Sequence, residues 1–229
     1  MQTEARTAVY TERKTCRACE APALTDVLTL GLQYLANFVR TRDANLPRAP
    51  LDLVRCDACG LLQLRHMVEP DLMWREYWYR SSVNQTMRDA LFDVVYDGMK
   101  YAKEGVWLDI GANDGYLLSR VGPRFTKIGC EPALNMQSLL EERADHIIPD
   151  YFSADAVLSA HSPADVITSC AMFYDLNDPD RFVRDVAACM TPSVASAPPM
   201  RISFSIGFAA GFAALVGPVR LGPRAHVGH

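Results

Sequence analysis

The residue types best placed for chemistry in this chain are four cysteines in two pairs and a series of carboxylates that follow short apolar runs. Cys16 and Cys19 in CRACE, and Cys56 and Cys59 in CDACG, each stand in Cys-x-x-Cys spacing. At that spacing a tight turn brings two thiolates onto one ion, and two such turns supply the four soft ligands of a tetrahedral Zn2+ site. Four thiolates close the coordination sphere, so the metal is expected to be structural, and a module this small folds largely through it. Gly60, directly after the second pair, suits a turn that needs positive φ. The 36 residues between the pairs exceed the spacing of a plain zinc ribbon. An inserted hairpin is expected there, with LTLGLQYLANFV and its Gly31 to build it. Cys130, Cys170 and Cys189 lie in apolar contexts and read as core residues.

The second chemical feature is VWLDIGANDGYLL. Val106–Ile110 reads as a buried strand and Tyr116–Val121 as the start of a helix, joined by a turn that carries Gly111 and Gly115. A dinucleotide site would show Gly-x-Gly-x-x-Gly, and a P-loop would end in Gly-Lys-Ser/Thr; neither pattern is present. Asp109 stands two residues before the first glycine, where it would repel a phosphate and favour a cationic ligand. Gly111 lets backbone approach the ligand, and Gly115 lets the helix sit close on its strand. A second strand, Thr126–Cys130, ends at Glu131, about 20 residues past the turn, where a carboxylate can accept from both ribose hydroxyls. The run from Ile147 to Phe152 puts Asp150 and aromatic rings at the end of a third strand, suited to the amino group and ring face of an adenine. Asp165–Cys170 reads as a fourth strand, followed by Ala171-Met172-Phe173. Each feature alone also fits an ordinary α/β turn or a solvated strand end; their order and spacing together point to one ligand.

The elements that must position these groups fall into three pieces. Residues 1–68 are rich in turn formers and hold the paired cysteines; residues 69–192 alternate helix-like and strand-like segments; residues 193–229 differ in composition. The helix expected from Asn84 to Tyr101 has apolar residues at Met87, Leu91, Val94, Val95 and Met99, near helical period. The net charge of −4 argues against a nucleic-acid partner. Seven cysteines without an apolar N-terminal run suggest a reducing, cytoplasmic setting.

Together these features resemble the class I S-adenosylmethionine-dependent methyltransferases, whose cofactor has a sulfonium cation and no phosphate. The resemblance implies a Rossmann-like α/β sheet, partial here, preceded by the zinc-binding module. It places Asp109, Gly111, Asn113 and Gly115 at the methionyl end, Glu131 at the ribose, and Asp150 with Phe152 at the adenine. More narrowly, the first 190 residues resemble C-methyltransferases with an N-terminal zinc module, many of which act on nucleotide-linked keto-deoxysugars. The stretches that carry this are the cysteine pairs, Leu30-Gly31-Leu32-Gln33 with Leu35-Ala36-Asn37, and Cys56–Leu64. Tyr77-Trp78-Tyr79-Arg80-Ser81-Ser82 with Asn84-Gln85-Thr86-Met87, the glycine turn, and Phe173-Tyr174-Asp175-Leu176 add to it. Tyr34 stands where that family would have a proline. The resemblance implies that Tyr77 and Tyr79 hydrogen-bond a nucleotide-sugar substrate and that Arg80 neutralises its phosphate charge. Tyr77, Trp78 and Tyr79 also suit a plain aromatic cluster between modules.

In that family a base removes a proton beside a ketone and the resulting enolate attacks the methyl group. The His-Glu-His-like stretch that supplies the base lies beyond the point where this sequence diverges. His66, His146, His161, His226 and His229 read as surface residues. After Thr191-Pro192 comes a tail with no Asp, Glu or Lys. Three readings stand for it: the product of a frameshifted or truncated gene, a membrane anchor over Ile202–Val219, or a short apolar helix covering bare sheet. Three glycines, two serines and a proline make the anchor a poor span. On the first reading the fourth strand is an open edge, and the chain is either an impaired enzyme or a non-catalytic zinc- and cofactor-binding fragment.

Overall fold

From Trp107 to Leu118 only Gly111 and Tyr116 escape full burial, so the middle of the chain must be wrapped on all sides. A computed structural model shows how; it describes residues 9–35, 46–191, 201–205 and 214–218. In the cysteine-bearing part, β1 (Tyr10–Glu12), β2 (Leu24–Tyr34), β3 (Arg48–Cys56), β4 (Leu62–Leu64) and β5 (His66–Val68) make two small antiparallel sheets, β1–β5 and β2–β3–β4. The inserted hairpin is β2 paired with β3. Gly31 is not its turn: it lies at the register shift between Thr29 and Leu32, a bulge within β2. Residues 36–45, which include the end of the expected hairpin segment, lie outside the described residues.

Helices α1 (Pro70–Trp74) and α2 (Gln85–Gly98) lead into the second part. Asn84 caps α2, its side chain accepting from the Met87 N–H at 3.3 Å. Leu91 and Val95 are buried, and Met87, Val94 and Met99 pack beside them, which is the face expected from the spacing. Then follow β6 (Gly105–Ile110), α3 (Tyr116–Arg120), β7 (Phe125–Cys130), α4 (Gln137–Glu141), β8 (His146–Ile148), α5 (Ala154–Leu158), β9 (Val166–Cys170) and α6 (Pro179–Ala188). The four strands are parallel in the order β8-β7-β6-β9, a Rossmann-like arrangement of the kind the resemblance implies. Two apolar clusters cover the sheet. One gathers Leu108, Ile110, Ile128, Val157, Phe182 and Val186; the other gathers Leu91, Val95, Trp107, Leu117, Leu118 and Leu140. Trp107 and Leu108, adjacent in β6, belong to different clusters because successive strand residues face opposite ways.

The expected open edge at β9 is corrected. β10 (Arg201–Ser205) lies parallel to β9 with Phe204 opposite Ser169 and Ser205 opposite Cys170, and β11 (Ala214–Pro218) runs antiparallel to β10. Unpaired strand backbone seeks a partner, and β-rich tail residues provide one. Those two tail segments are strands, not the short helix considered above. Among the described residues no helix is long and apolar enough to cross a membrane.

The packing of α2 on β6 gives a test with a sign that propensity alone would get wrong. In a helix, Gly→Ala usually stabilises by about 1 kcal/mol. A Cβ on Gly98, however, would lie 2.4 Å from Cη2 of Trp107. That ring is fully buried, and its Nε1–H donates to Thr168 Oγ1 at 3.1 Å, so it has little room to move. Gly98→Ala is expected to destabilise by about 1–2 kcal/mol in urea titrations, a net of overpacking against propensity. Gly122→Ala, with nothing within 4 Å of the added carbon, is expected to be neutral.

Candidate cofactor and metal sites

The two cysteine turns are built alike. Cys16 N–H donates to Ala21 O and Glu20 N–H to Cys16 O, both at 2.9 Å; Cys56 N–H donates to Leu61 O and Gly60 N–H to Cys56 O, again both at 2.9 Å. The residue after each pair has positive φ, 61° at Glu20 and 79° at Gly60. The four Sγ atoms lie within 4.8 Å of one another. Cys16 and Cys59 are 3.7 Å apart at sulfur, and Cys19 and Cys56 3.6 Å. A tetrahedron of Zn–S bonds of about 2.3 Å has edges of about 3.8 Å, so the thiols fit that ion. Burial disfavours charge on Cys16, yet the Ala18 and Cys19 N–H groups and the neighbouring thiols bring its pKa down to about 6. Cys130 and Cys189 are buried in the core as expected, and Cys170 is partly so.

At the other site, Asp109 sits one residue before the end of β6, opposite Gly129 of β7 and Thr168 of β9. It is buried, and Thr168 Oγ1 donates to its Oδ1 at 2.7 Å. The chain then bends. Gly111 (φ 73°), Asn113 (φ 52°) and Gly115 (φ 74°) all have left-handed backbone, and a Cβ on Gly115 would meet Leu140 Cδ1 at 2.9 Å. Gly111 and Ala112 N–H groups donate to Cys130 O, and Asn113 N–H to Glu131 Oε2 at 2.7 Å. Glu131 is also buried, its Oε1 held by Ala133 N–H at 2.9 Å. Burial raises the Asp109 pKa to about 7, against the Thr168 hydrogen bond and with help from the Glu131 charge. Burial raises Glu131 as well, with the two backbone N–H groups opposing it. Among the described residues neither carboxylate makes an ion pair. Two buried acids that feel each other across a bent backbone fit a cation, and they do not fit a phosphate.

Residues 77–195 match a family described as a methyltransferase domain, more than half of the chain, and residues 16–74 match one described as a putative zinc binding domain. The chain belongs to the methyltransferase-domain family. It is of the class I, S-adenosylmethionine-dependent type, with a zinc-binding module ahead of the α/β sheet. The C-methyltransferase NovU of Streptomyces niveus is 28% identical over 190 residues, covering 77% of this chain and 44% of that protein. The chain thus spans less than half the length of that relative. Among solved structures, the plantazolicin methyltransferase BamL, in complex with a triazolic desmethylPZN analog and SAH, aligns with a TM-score of 0.39 at 17% identity, over 53% of this chain and 46% of that one. A precorrin 8W decarboxylase from Methanobacterium thermoautotrophicum aligns at 0.37 and 16% identity, over 51% and 63%.

Within this methyltransferase domain, the structure brings Asp109, Gly111, Asn113 and Glu131 together around one bend. The Asn113 side chain is engaged elsewhere: its Nδ2 donates to Tyr79 O at 3.0 Å, and its Oδ1 accepts from Ser81 N–H at 2.9 Å. It thereby pins the backbone on either side of Arg80, whose own side chain is exposed. Asp150 follows β8 and is ion-paired with Arg75 at 2.8 Å. Phe152 is drawn toward the core, edge-on to Phe182 with centroids 5.4 Å apart. Tyr77, Trp78 and Tyr79 do touch in series, at 6.3 and 5.8 Å. Tyr77 also comes near Tyr174, Asp175 and Glu131; burial and those neighbours raise its pKa.

Four contributors were not singled out from sequence. Thr168 orients Asp109. Asp114 is fully buried, accepting from Ser82 N–H at 3.2 Å and ion-paired with Arg143 at 3.4 Å. Arg75 joins α1 to the loops after β7 and β8. Arg17, between the first two cysteines, donates to Leu176 O at 2.9 Å and Tyr174 O at 3.4 Å. Asp114 lies inside the quoted turn and a buried role was open to inspection there; the others act through distant partners. His66 is the histidine that departs from expectation: its side chain is only 11% exposed, set against Tyr10 and Asp52. His146 and His161 stack on each other, and His226 and His229 lie outside the described residues.

Metal analysis should find one Zn2+ per chain. Stripping it with a strong chelator should lower the midpoint of thermal unfolding, since the small sheets have little core of their own. Cys16→Ser or Cys59→Ser should abolish stoichiometric zinc, while Cys170→Ser should keep it at one equivalent.

Proposed function

We propose that this chain holds S-adenosylmethionine across the C-terminal ends of β6, β7 and β8 and serves methyl transfer to carbon in a nucleotide-linked keto-deoxysugar. The observation that carries this is the pair of buried carboxylates, Asp109 and Glu131, flanking a bend of left-handed backbone and without an ion pair among the described residues. In this reading Asp109, Gly111, Asn113 and Gly115 surround the methionyl end, Glu131 accepts from the ribose hydroxyls, and Asp150 with Phe152 borders the adenine. Bound there, S-adenosylmethionine supplies an electrophilic methyl group on a sulfonium. The chain's residues bind, orient and exclude water. Tyr77 comes near Glu131 and Tyr79 near Asp114, and in this reading the two tyrosines bind the acceptor while the exposed Arg80 meets its phosphate. The likeness to a C-methyltransferase supports the carbon acceptor, and the Tyr-Arg segment supports the sugar nucleotide.

A second reading, a binding unit without turnover of its own, is favoured by the histidines. His66 belongs to the zinc module, and His146 stands at the N-terminal end of β8, opposite the crevice, with His161 against it. On that reading cofactor binds but, among the described residues, no histidine stands at the crevice to accept the proton beside the ketone.

The Asp109 carboxyl supplies the test. Its folded pKa lies near 7 against an ordinary value of 3.8, so the folded chain binds the extra proton. Stability without ligand is therefore greatest below about pH 4 as far as this group is concerned. It falls as pH rises through 7, and levels off above. A cationic ligand favours the ionised form, so S-adenosylmethionine should bind more tightly at pH 8 than at pH 6 and release a proton near pH 7. Titration calorimetry in buffers of differing ionisation enthalpy reads that proton. Asp109→Asn should weaken binding and remove the release. Absence of binding to the wild-type chain at any pH would refute the cofactor site. Binding without methylation of any keto-sugar nucleotide would select the second reading.

A further inference from the structure

One arginine in the short helix between the two modules ties together the two loops that the proposed function assigns to adenosine. Arg75 follows α1. Its Nε donates to Asp71 Oδ1 at 2.8 Å, its Nη2 to Asp150 Oδ1 at 2.8 Å, and its Nη1 reaches Pro132 O at 3.4 Å. Its guanidinium lies 4.8 Å from the centroid of the Tyr151 ring, and the Tyr151 hydroxyl donates to Asp71 at 3.1 Å. Its own carbonyl accepts from Leu134 N–H at 2.9 Å. The side chain is thus fixed by α1, by the loop after β7 that begins at Glu131, and by the loop after β8 that begins at Pro149.

The division of contacts at Asp150 is informative. Its Oδ1 accepts both from Arg75 and from Tyr151 N–H, each at 2.8 Å. With two donors on one oxygen, the carboxylate plane is set, and the second oxygen is turned out of that clasp. A planar guanidinium fork, unlike an ammonium, can hold Asp71 and Asp150 at once. As a surface ion pair this arrangement adds little stability, which leaves orientation as its main effect.

We propose that Arg75 is a positioning residue for base selectivity: by occupying Oδ1 of Asp150 it presents Oδ2 to the exocyclic amino group of adenine. The inference rests on the adenosine placement given above, and its test separates the two. The probes are S-adenosylhomocysteine and S-inosylhomocysteine, which carries a carbonyl oxygen where adenine has its amino group. The readout is the ratio of their dissociation constants by calorimetry, on zinc-loaded full-length chain. Wild type should prefer the adenine compound about tenfold or more, because a carboxylate oxygen facing a carbonyl is left without a donor. Arg75→Ala should reduce that preference to less than about threefold, and Arg75→Lys should restore part of it, a single charge without the fork. Zinc content and unfolding midpoint establish that each variant is folded; if Arg75→Ala is not, Arg75→Gln and Arg75→Lys carry the comparison. Should Arg75→Ala weaken both compounds equally, or Asp150→Asn erase the preference while Arg75→Ala leaves it intact, the positioning role is overturned and the adenine placement stands. Should Asp150→Asn leave the preference unchanged, the adenine placement itself falls, and with it this proposal.

Discussion

Burial of two acids at neighbouring strand ends is the constraint from which most of this molecule follows. A carboxylate in an apolar sheet is costly unless something meets it, and among the described residues Asp109 and Glu131 are met by a hydroxyl and by backbone N–H groups. Supplying those N–H groups requires the chain after β6 to curl back over the end of β7, which Gly111, Asn113 and Gly115 achieve with left-handed backbone. Curling also brings α3 close to α4, where Leu140 and Arg143 leave no room for a side chain at Gly115. The unrelieved part of the cost is seen in the raised Asp109 pKa, and it is the part that a positively charged ligand can remove.

Among the described residues, the zinc-binding module meets the segment after β9 through side chains near its metal ligands. Arg13 Nη2 donates to Asn177 O at 2.8 Å, and Arg17 holds the carbonyls of Tyr174 and Leu176. These carbonyls belong to the segment after β9, beside Met172, whose Cγ would lie 3.4 Å from a Cβ on Gly111. Arg17 N–H is itself held by the buried Gln63 at 3.0 Å, between the two cysteine turns. A structural ion that orders the turn around Arg17 therefore also orders the loop that closes one side of the bend. That gives a physical reason for a thiolate cluster in a chain whose acidic bend lies in the other module.

Legibility in the sequence followed the range of the interactions. The four parallel-sheet strands, the α2 face, the cysteine clusters and the acidic bend were readable because each is written in a short stretch: an apolar run, a period, or a spacing. Asp114 was passed over although it lies within the quoted turn, because an acid beside a glycine reads as solvated until Ser82 and Arg143 are seen against it. Arg75 has Asp71 one helical turn before it, but the partners that give Arg75 and Arg17 their roles stand 57 to 159 residues away and leave no local signal. Gly31 misled for the opposite reason: a glycine between apolar residues suits a turn and a bulge equally, and the pairing with β3 decides. The pairing of β10 with β9 depended on a tail whose composition gave no family pattern to follow.

Asn113 shows how tightly the parts of the site share their polar groups. Its N–H serves Glu131, its amide nitrogen serves Tyr79 O, and its amide oxygen serves Ser81 N–H. The next residue, Asp114, takes Ser82 N–H. The backbone from Tyr79 to Ser82 is thus hydrogen-bonded to the bend itself, as an added strand would be, but through side chains. The consequence is geometric. The aromatic segment that carries Tyr77, Tyr79 and Arg80 cannot shift without disturbing a residue whose N–H also orients Glu131. Groups assigned to the acceptor and groups assigned to the cofactor are therefore held in one frame, with Asn113, Asp114 and Asn135 each bonding the backbone of the aromatic segment and so setting the distance between them.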